Sequence, residues 1–178
     1  RVLLAEGIAI ASNQVCIMNA DGTGFRRLTT DDSRKHFYPS LAPDGQSVFY
    51  AAFFETNNYE IYELRLSDGN VRRITNSAVV ETAPELSPDG RSITYARYNP
   101  NTERYQIIIA GRDGSDPGNI PGASGWDPTW SPDGRHLRFT LIEPPTLPER
   151  PLKPNRIAIL VMGMILSLLG GLGAAYAK

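Results

Sequence analysis

The chain has 178 residues, with 18 lysines and arginines against 19 aspartates and glutamates, so its formal net charge is -1. This balance argues against a nucleic-acid-binding domain, which normally carries a basic surface, and the single cysteine, Cys16, excludes an internal disulfide. The length allows one ordinary domain, or a small domain with an appendage. The hydrophobic fraction of 41% is that of a globular protein, but it averages over a polar region and one apolar tail.

A repeat of about 45 residues runs through the polar region. Pro-Asp-Gly recurs at residues 43–45, 88–90 and 132–134, and each copy has another proline four residues upstream, at Pro39, Pro84 and Pro128. Asp-Gly pairs also begin at residues 21, 68 and 113, and the sequence Arg-Arg-[Leu/Ile]-Thr occurs at 26–29 and 72–75. Because three markers share one period, the repeat is genuine.

Each repeat predicts short strands separated by turns. Residues 47–53 and 92–97 are rich in β-branched and aromatic side chains and directly follow an Asp-Gly pair, which is a hairpin signal. Residues 60–66 alternate between polar and apolar side chains, as in a half-buried strand. A period near 45 with four short strands is typical of a propeller blade. We therefore predict an all-β fold, an incomplete β-propeller of about three blades of four antiparallel strands, followed by one C-terminal transmembrane α-helix.

The segments PELSPDGRSITYA, IYELRLSDG and RRIT resemble the blades of TolB-type, WD-repeat-like propellers, and the resemblance covers about residues 8–140. It implies a non-enzymatic, periplasmic module whose protein partner is similar to a peptidoglycan-associated lipoprotein. The third repeat has no Arg-Arg-[Leu/Ile]-Thr sequence, so the pattern does not predict its last strand. Two repeats are complete, with a half repeat before them, to about residue 30, and another after them, from 127 to 142. Closed propellers need roughly four to eight blades, so we expect further blades or a partner at the open edges.

A proline-rich linker is predicted for residues 143–156, between the repeats in 1–142 and the apolar tail. Four prolines, from Pro145 to Pro154, recur every third residue, which is the period of a polyproline II helix. The linker would be a stiff spacer of roughly 37 Å; the alternative is a ligand for an SH3-type domain.

The tail, residues 157–177, has no charged side chain and would reach roughly 31 Å as a helix, enough to cross a bilayer. The alternative is a buried core helix. Small residues at every fourth position would allow close helix contact and a homo-oligomer: Gly163, Ser167, Gly171 and Ala175. The chain starts at Arg1 and stops one residue after the apolar run, so we expect a piece of a longer chain.

Residues 138–178 are similar to the proline-rich segment and last membrane helix of Wzz/GumC-type polysaccharide chain-length determinants and exopolysaccharide transport proteins. This resemblance implies an alternative function, a fragment or fusion related to chain-length determination or export. Positive charges before the span would place the repeats in the cytoplasm. Both resemblances place them in the periplasm, which is the location that we expect for a single-pass membrane protein.

No catalytic residue, cofactor or metal site is predicted. His36 and His136 have no further metal-ligand side chain at a suitable spacing. Prolyl-oligopeptidase-like hydrolases also carry propellers, so the propeller domain of such an enzyme is a third alternative. The Gly-x-Ser-x-Gly motif of the hydrolase is absent from the chain, which argues against it. Residues 19–24 imitate a calcium loop, but Thr30 stands where glutamate is required, so a turn is the better interpretation.

The candidate functional residues are therefore turn residues and partner contacts. The repeat turns contain Asp44, Gly45, Asp89, Gly90, Asp133 and Gly134. Each aspartate is expected to close its own turn; the alternative is a surface ring of carboxylates. The candidate contacts with a partner are Arg26, Arg27, Arg72, Arg73 and Trp126. The alternative for the arginines is cross-strand ion pairing, and Trp130 is predicted to belong to the core.

We expect a membrane-anchored, non-enzymatic propeller module that mediates protein–protein interaction in the bacterial cell envelope, contacts lipid through 157–177 and binds no nucleic acid.

Overall fold

The computed structural model describes residues 2–7, 13–31, 33–54 and 58–141, and this part of the chain contains strands and turns but no helix. The strands are β1 Val2–Gly7, β2 Asn13–Met18, β3 Arg26–Arg27, β4 Lys35–Leu41, β5 Ser47–Phe54, β6 Asn58–Arg65, β7 Val71–Arg73, β8 Glu81–Leu86, β9 Ser92–Asn99, β10 Arg104–Gly111, β11 Gly118–Ser124, β12 Trp126–Trp130 and β13 Leu137–Thr140. The predicted all-β fold is confirmed.

Four antiparallel sheets follow one another along the chain, in the orders β1-β2-β3, β4-β5-β6-β7, β8-β9-β10-β11 and β12-β13. Strands that are neighbours in sequence are neighbours in each sheet, as in the blades of a propeller. The second and third sheets are the two complete repeats. The first sheet has three described strands, one more than the predicted half repeat, and the last has two.

The first strands of the last three sheets lie side by side. Strand β4 packs against β2 and β8, and β8 in turn packs against β12. Apolar side chains fill the spaces between adjacent sheets. One cluster joins the second and third sheets through Phe49, Ile61 and Ile93, and another joins the first and second through Val15 and Val48. We call β4, β8 and β12 the inner strands.

The Arg-Arg-[Leu/Ile]-Thr sequence fastens the last strand of a blade to the strand before it. The Thr75 hydroxyl accepts a hydrogen bond from the Ile61 N–H at 2.9 Å and donates one to the Glu60 carboxylate at 2.7 Å. The Arg73 side chain donates to the Thr75 carbonyl at 2.7 Å. In the first sheet Thr29 makes the same contacts with the Val15 N–H and the Gln14 side chain.

Strand β11 forms without this sequence, so the third repeat has the last strand that the repeat pattern did not predict. Strand β11 pairs with β10, but the register shifts between Gln106 and Ile108, where the chain passes through Pro121 and Gly122. Ser124 supplies a different fastening, because its hydroxyl donates to the Tyr105 carbonyl at 3.0 Å. An irregular strand of this kind has no repeat signature from which to predict it.

The tail and linker lie outside the described residues, together with Gly163, Ser167, Gly171, Ala175 and the segment similar to chain-length determinants. They remain predictions. In the part of the chain that is described, no helix has the length and apolar character needed to span a membrane.

Candidate functional site

The Asp-Gly turns all lie at one end of the strands, which we call the turn face. A blade strand that runs toward this face is followed by a turn and a strand that runs away from it, so the turns after the first and third strands share the face. Each aspartate Oδ1 accepts a hydrogen bond from the backbone N–H two residues on, at 2.8 Å for Asp44, 3.1 Å for Asp89 and 3.0 Å for Asp133. Gly45, Gly90 and Gly134 follow with φ of 66°, 69° and 70°, where glycine avoids strain.

The turn carboxylates are satisfied within the chain. Asp21, Asp68 and Asp113 make the same local bond to the second following N–H, each at 3.0 Å. Asp44 also pairs with Arg112 of the next blade at 3.4 Å. Hydrogen bonds from side-chain hydroxyls lower the pKa of Asp89 and Asp133, so both stay ionised at neutral pH. This arrangement stabilises the turns and leaves no carboxylate cluster in the described chain with three ligands for a metal ion.

The candidate arginines make contacts within their own blades. Arg27 donates to the Thr29 carbonyl at 2.9 Å, and Arg73 pairs with Glu60 at 3.0 Å. Arg72 pairs across the strands with Glu63 at 2.8 Å. Arg26 pairs through its backbone with Ile17, and its side chain is exposed. Three of the four arginines therefore help to hold a blade together.

Buried polar groups make contacts both within and between the blades. The side chain of Glu81 is 0% exposed and lies 2.6 Å from the Arg97 guanidinium. Burial raises the pKa of Glu81, against the opposing effect of its hydrogen bonds and of Arg97. His36 occupies the equivalent position in the second blade, and its Nδ1 lies 3.0 Å from the Asn13 carbonyl. Burial lowers the pKa of His36, which favours the neutral imidazole. His136 is exposed at the turn face.

Each inner strand carries a one-residue bulge before the proline of its repeat. The register shifts between Phe37 and Ser40, between Thr82 and Glu85, and between Trp126 and Thr129. The residue at each bulge has a left-handed backbone, with φ of 52° at Tyr38, 51° at Ala83 and 55° at Asp127. Such values are uncommon for residues other than glycine and cluster at functional sites.

The bulges set three equivalent residues next to one another at the end of the strands opposite the turn face. These residues are Phe37, Thr82 and Trp126, one from each inner strand. Phe37 and Trp126 belong to a continuous row of aromatic rings at this end of the strands. Neighbouring ring centroids in the row are 4.3 to 6.1 Å apart. We call this row the aromatic arc; in spatial order it contains Phe53, Tyr59, Phe37, Tyr38, Trp126, Tyr105 and Tyr98.

A pocket of about 160 Å³ lies within the aromatic arc. Its walls are five of the rings, Phe37, Tyr38, Tyr59, Tyr105 and Trp126, and it is completed by Val80 and Thr82. Tyr38 is 44% exposed, so an aromatic ring on a left-handed backbone stands at the surface. Thr82 is 1% exposed, and its hydroxyl has no hydrogen-bond partner among the described residues.

The pocket carries no charge at physiological pH. None of its seven lining residues, all within the described chain, is acidic or basic. Burial raises the pKa of Tyr59 and of Tyr105, and the nearby Tyr38 phenol adds to both shifts. The phenols therefore keep their protons and can both donate and accept hydrogen bonds.

Trp126 is the one predicted contact residue that lies in this pocket. It is half-buried, with its ring centroid 5.6 Å from that of Tyr38 and 4.3 Å from that of Tyr105. Trp130, predicted as core, is also only half-buried, although its indole N–H is shielded from solvent and has no partner in the described chain. The tyrosines and phenylalanines of the arc were not predicted.

A repeat signal for part of the arc exists in the sequence. Phe53 and Tyr98 are 45 residues apart, and Tyr59 and Tyr105 are 46 apart, so an aromatic pair recurs with the blade period. In each blade the two rings sit on directly paired residues of a hairpin. The other rings of the arc come from the inner strands: Phe37, Tyr38 and Trp126. They meet only because these strands lie side by side, and the repeat pattern does not specify that arrangement.

Comparisons with known proteins agree with this architecture. No family model matches the chain, and no curated protein matches it. Among solved structures, the chain is similar to a putative TolB from Agrobacterium tumefaciens, with a TM-score of 0.66 and 24% identity over 77% of this chain and 48% of that one. It is also similar to TolB from Acinetobacter baumannii, with a TM-score of 0.64 and 23% identity over 76% of this chain and 34% of that one.

An enzyme shares the fold as well. A gluconolactonase from Xanthomonas campestris matches with a TM-score of 0.56 and 16% identity, over 76% of this chain and 43% of that protein.

The comparisons cover only part of the TolB structures. The chain spans about half of the length of the first TolB structure and about a third of the length of the second. At these identities the likeness shows the fold alone. The chain has the antiparallel blades of a β-propeller, and the predicted resemblance to TolB-type propellers is confirmed at the level of the fold.

Proposed function

We propose that this chain is a membrane-anchored, non-catalytic propeller module that binds a protein partner in the bacterial cell envelope through the aromatic arc. The observation that carries the proposal is the pocket between the inner strands, where exposed Tyr38 and half-buried Trp126 stand beside the unpartnered Thr82 hydroxyl. Tyrosine and tryptophan are enriched among the residues that dominate binding energy at protein interfaces.

The contrast with the rest of the surface supports this location. The turn face uses its carboxylates in its own turns, and three of the four candidate arginines bind within their blades. The similarity to TolB structures supports an interaction module, since propellers commonly present binding residues on a rigid scaffold. A pocket of about 160 Å³ is smaller than the roughly 300–1,000 Å³ of small-molecule sites, which favours one partner side chain over a substrate.

Site-specific photocrosslinking tests the proposal. A benzophenone amino acid replaces Tyr38 in the pocket, and in a matched variant it replaces Arg91, which is exposed at the turn face. In bacterial cells we expect one identified envelope protein to be captured from position 38 and not from position 91. The purified partner should then bind the wild-type chain. Capture only from position 91, or from neither position, would contradict the proposal.

The membrane anchor is a separate part of the proposal and rests on the uncharged residues 157–177. Deleting this segment should release the protein from the membrane fraction after alkaline extraction. If alkaline extraction also releases the chain that still has residues 157–177, this segment does not anchor the protein in the membrane. A protease added outside the inner membrane should digest the repeats if they are periplasmic.

A further inference from the structure

The walls of the pocket within the aromatic arc favour a positively charged occupant. The planes of Tyr105 and Trp126 meet at 86°, and those of Tyr38 and Trp126 at 73°, so the rings form adjoining walls instead of a stack. The face of an aromatic ring carries partial negative charge and attracts a cation, most strongly at tryptophan. All the lining residues are described, and none of them supplies a cation of its own.

The pocket contains one buried hydrogen-bonding group without a partner and two phenols. The Thr82 hydroxyl is buried and makes no hydrogen bond within the described residues. The phenols of Tyr59 and Tyr105 stay protonated, because burial raises the pKa of each. A neutral hydroxyl accepts hydrogen bonds as well as donating them. An aliphatic side chain would cover the Thr82 hydroxyl without bonding to it, and a buried polar group left without a hydrogen bond costs free energy.

Of the protein side chains, arginine matches this combination. Its guanidinium is planar, is permanently charged, stacks on aromatic faces and offers five N–H donors but no acceptor. We propose that the pocket binds an arginine side chain of the protein partner. This inference rests on the proposed function and adds to it the chemistry by which the partner is recognised.

The test compares two small probes on the full-length protein. N-acetyl-arginine methylamide carries the charge, and N-acetyl-citrulline methylamide is nearly the same shape but neutral. Binding is followed by NMR through broadening of the methylamide signal of each probe. We expect the arginine probe to bind at least about fivefold more tightly than the citrulline probe, as a cation over aromatic faces should. Equal affinities, or tighter binding of citrulline, would overturn the inference.

A substitution checks that the rings cause the preference. Trp126→Leu keeps an apolar side chain but removes the ring that contacts both Tyr38 and Tyr105. The preference for arginine over citrulline should shrink to less than about twofold. Arg91→Ala, at the turn face, should leave it unchanged. A preference that survives Trp126→Leu undiminished would overturn the role of the rings, and circular dichroism verifies that both variants are folded.

A pH series separates the rings from a carboxylate as the source of attraction. Arginine and the protonated phenols do not change charge between about pH 5 and 9, so the affinity should stay constant over that range. Loss of arginine binding between about pH 5 and 4 would assign the attraction to an acidic side chain and overturn the inference.

The inference and the proposed function can fail separately. If the partner captured at position 38 contacts the pocket through an apolar side chain, the inference fails and the function stands. If the arginine probe is selected but no envelope protein is captured, the function fails and the pocket specificity stands. If an arginine of the partner is crosslinked, changing it to glutamine should weaken the complex at least about fivefold.

Discussion

The two ends of the blades treat the same backbone conformation in opposite ways. In the three Pro-Asp-Gly turns of the turn face, the left-handed residue is a glycine, as at Gly90 with φ of 69°, and the preceding aspartate binds inside its turn. At the opposite end, the left-handed residues of the inner strands are Tyr38, Ala83 and Asp127. The Pro-Asp-Gly turns avoid strain and satisfy their carboxylates, whereas the bulges of the inner strands keep strained residues and the adjoining pocket keeps an unpartnered hydroxyl.

This difference separates residues that build the fold from residues that are available for binding. The turn face repeats nearly unchanged along the chain, because every blade needs the same turn. The pocket differs from blade to blade, since Phe37, Thr82 and Trp126 occupy equivalent positions with different side chains. A propeller can vary its function at such positions without losing its architecture.

The largest expected effect on stability lies in the hydrogen bonds of the Arg-Arg-[Leu/Ile]-Thr sequence. Thr75→Val removes the hydroxyl that binds both the Ile61 N–H and the Glu60 carboxylate. Both groups would stay buried without this partner, so we expect the free energy of unfolding to fall by about 2 kcal/mol. Urea denaturation measures the change.

The control, Thr75→Ser, keeps the hydroxyl and should cost less than about 1 kcal/mol, since it removes one methyl group. Thr29→Val should cost less than Thr75→Val, because Gln14 is neutral where Glu60 is charged. If Thr75→Ser is as destabilising as Thr75→Val, the hydroxyl is not the stabilising group.

The buried and the exposed carboxylates should respond to pH in opposite directions. Burial raises the folded-state pKa of Glu81 above its ordinary value of 4.5. The folded protein therefore holds this proton more tightly than the unfolded chain, and its stability falls as pH rises from about 4.5 through the folded-state pKa. The folded-state pKa of Asp89 is lowered below 3.8, so its contribution is present above 3.8 and is lost as pH falls through the folded value.

Urea denaturation across this pH range tests both signs. Glu81→Gln should gain stability relative to wild type as pH rises above about 4.5. Asp89→Asn should lose stability relative to wild type as pH rises through the acidic range, because only the wild type forms the ionised turn. Parallel pH profiles for wild type and Glu81→Gln would show that the Glu81 pKa is not raised.

A smaller effect is expected at the turn face itself. Gly90→Ala places a side chain on a residue with φ of 69°, and the new Cβ would meet only the end of Arg112 at 3.6 Å. The cost is therefore backbone strain, about 1 kcal/mol. Thermal or urea denaturation measures it, and binding of the partner should not change. A stability equal to that of the wild type would mean that the turn relaxes out of the left-handed conformation.

The smallest effect on stability is expected for the reverse substitution in the aromatic arc. Tyr38→Gly relieves backbone strain of about 1 kcal/mol but removes ring contacts with Phe37 and Trp126 of similar size. The free energy of unfolding should thus change by less than about 1 kcal/mol, while partner binding is lost. A large loss of stability would instead make Tyr38 a structural residue and weaken the contrast between the two faces.

The repeat markers predicted the strands and turns because local chemistry decides them. An Asp-Gly pair before a β-branched segment needs only its own residues to form a hairpin, so β5 and β9 follow directly from sequence. The pocket could not be predicted in the same way. Phe37 and Trp126 are 89 residues apart, and they meet around Thr82 only because the inner strands lie side by side. Strand β11 was missed since its fastening uses Ser124 and lacks the repeated threonine.

The most direct test of the central claim, that binding takes place at the aromatic arc, is the affinity of the crosslinked partner for three proteins. Isothermal titration calorimetry would compare the wild type with Trp126→Ala in the pocket and Arg91→Ala at the turn face. We predict that Trp126→Ala weakens binding at least about thirtyfold, as at an interface hot spot, and that Arg91→Ala changes it by less than about twofold. Equal effects of the two substitutions, or a larger effect of Arg91→Ala, would contradict the account.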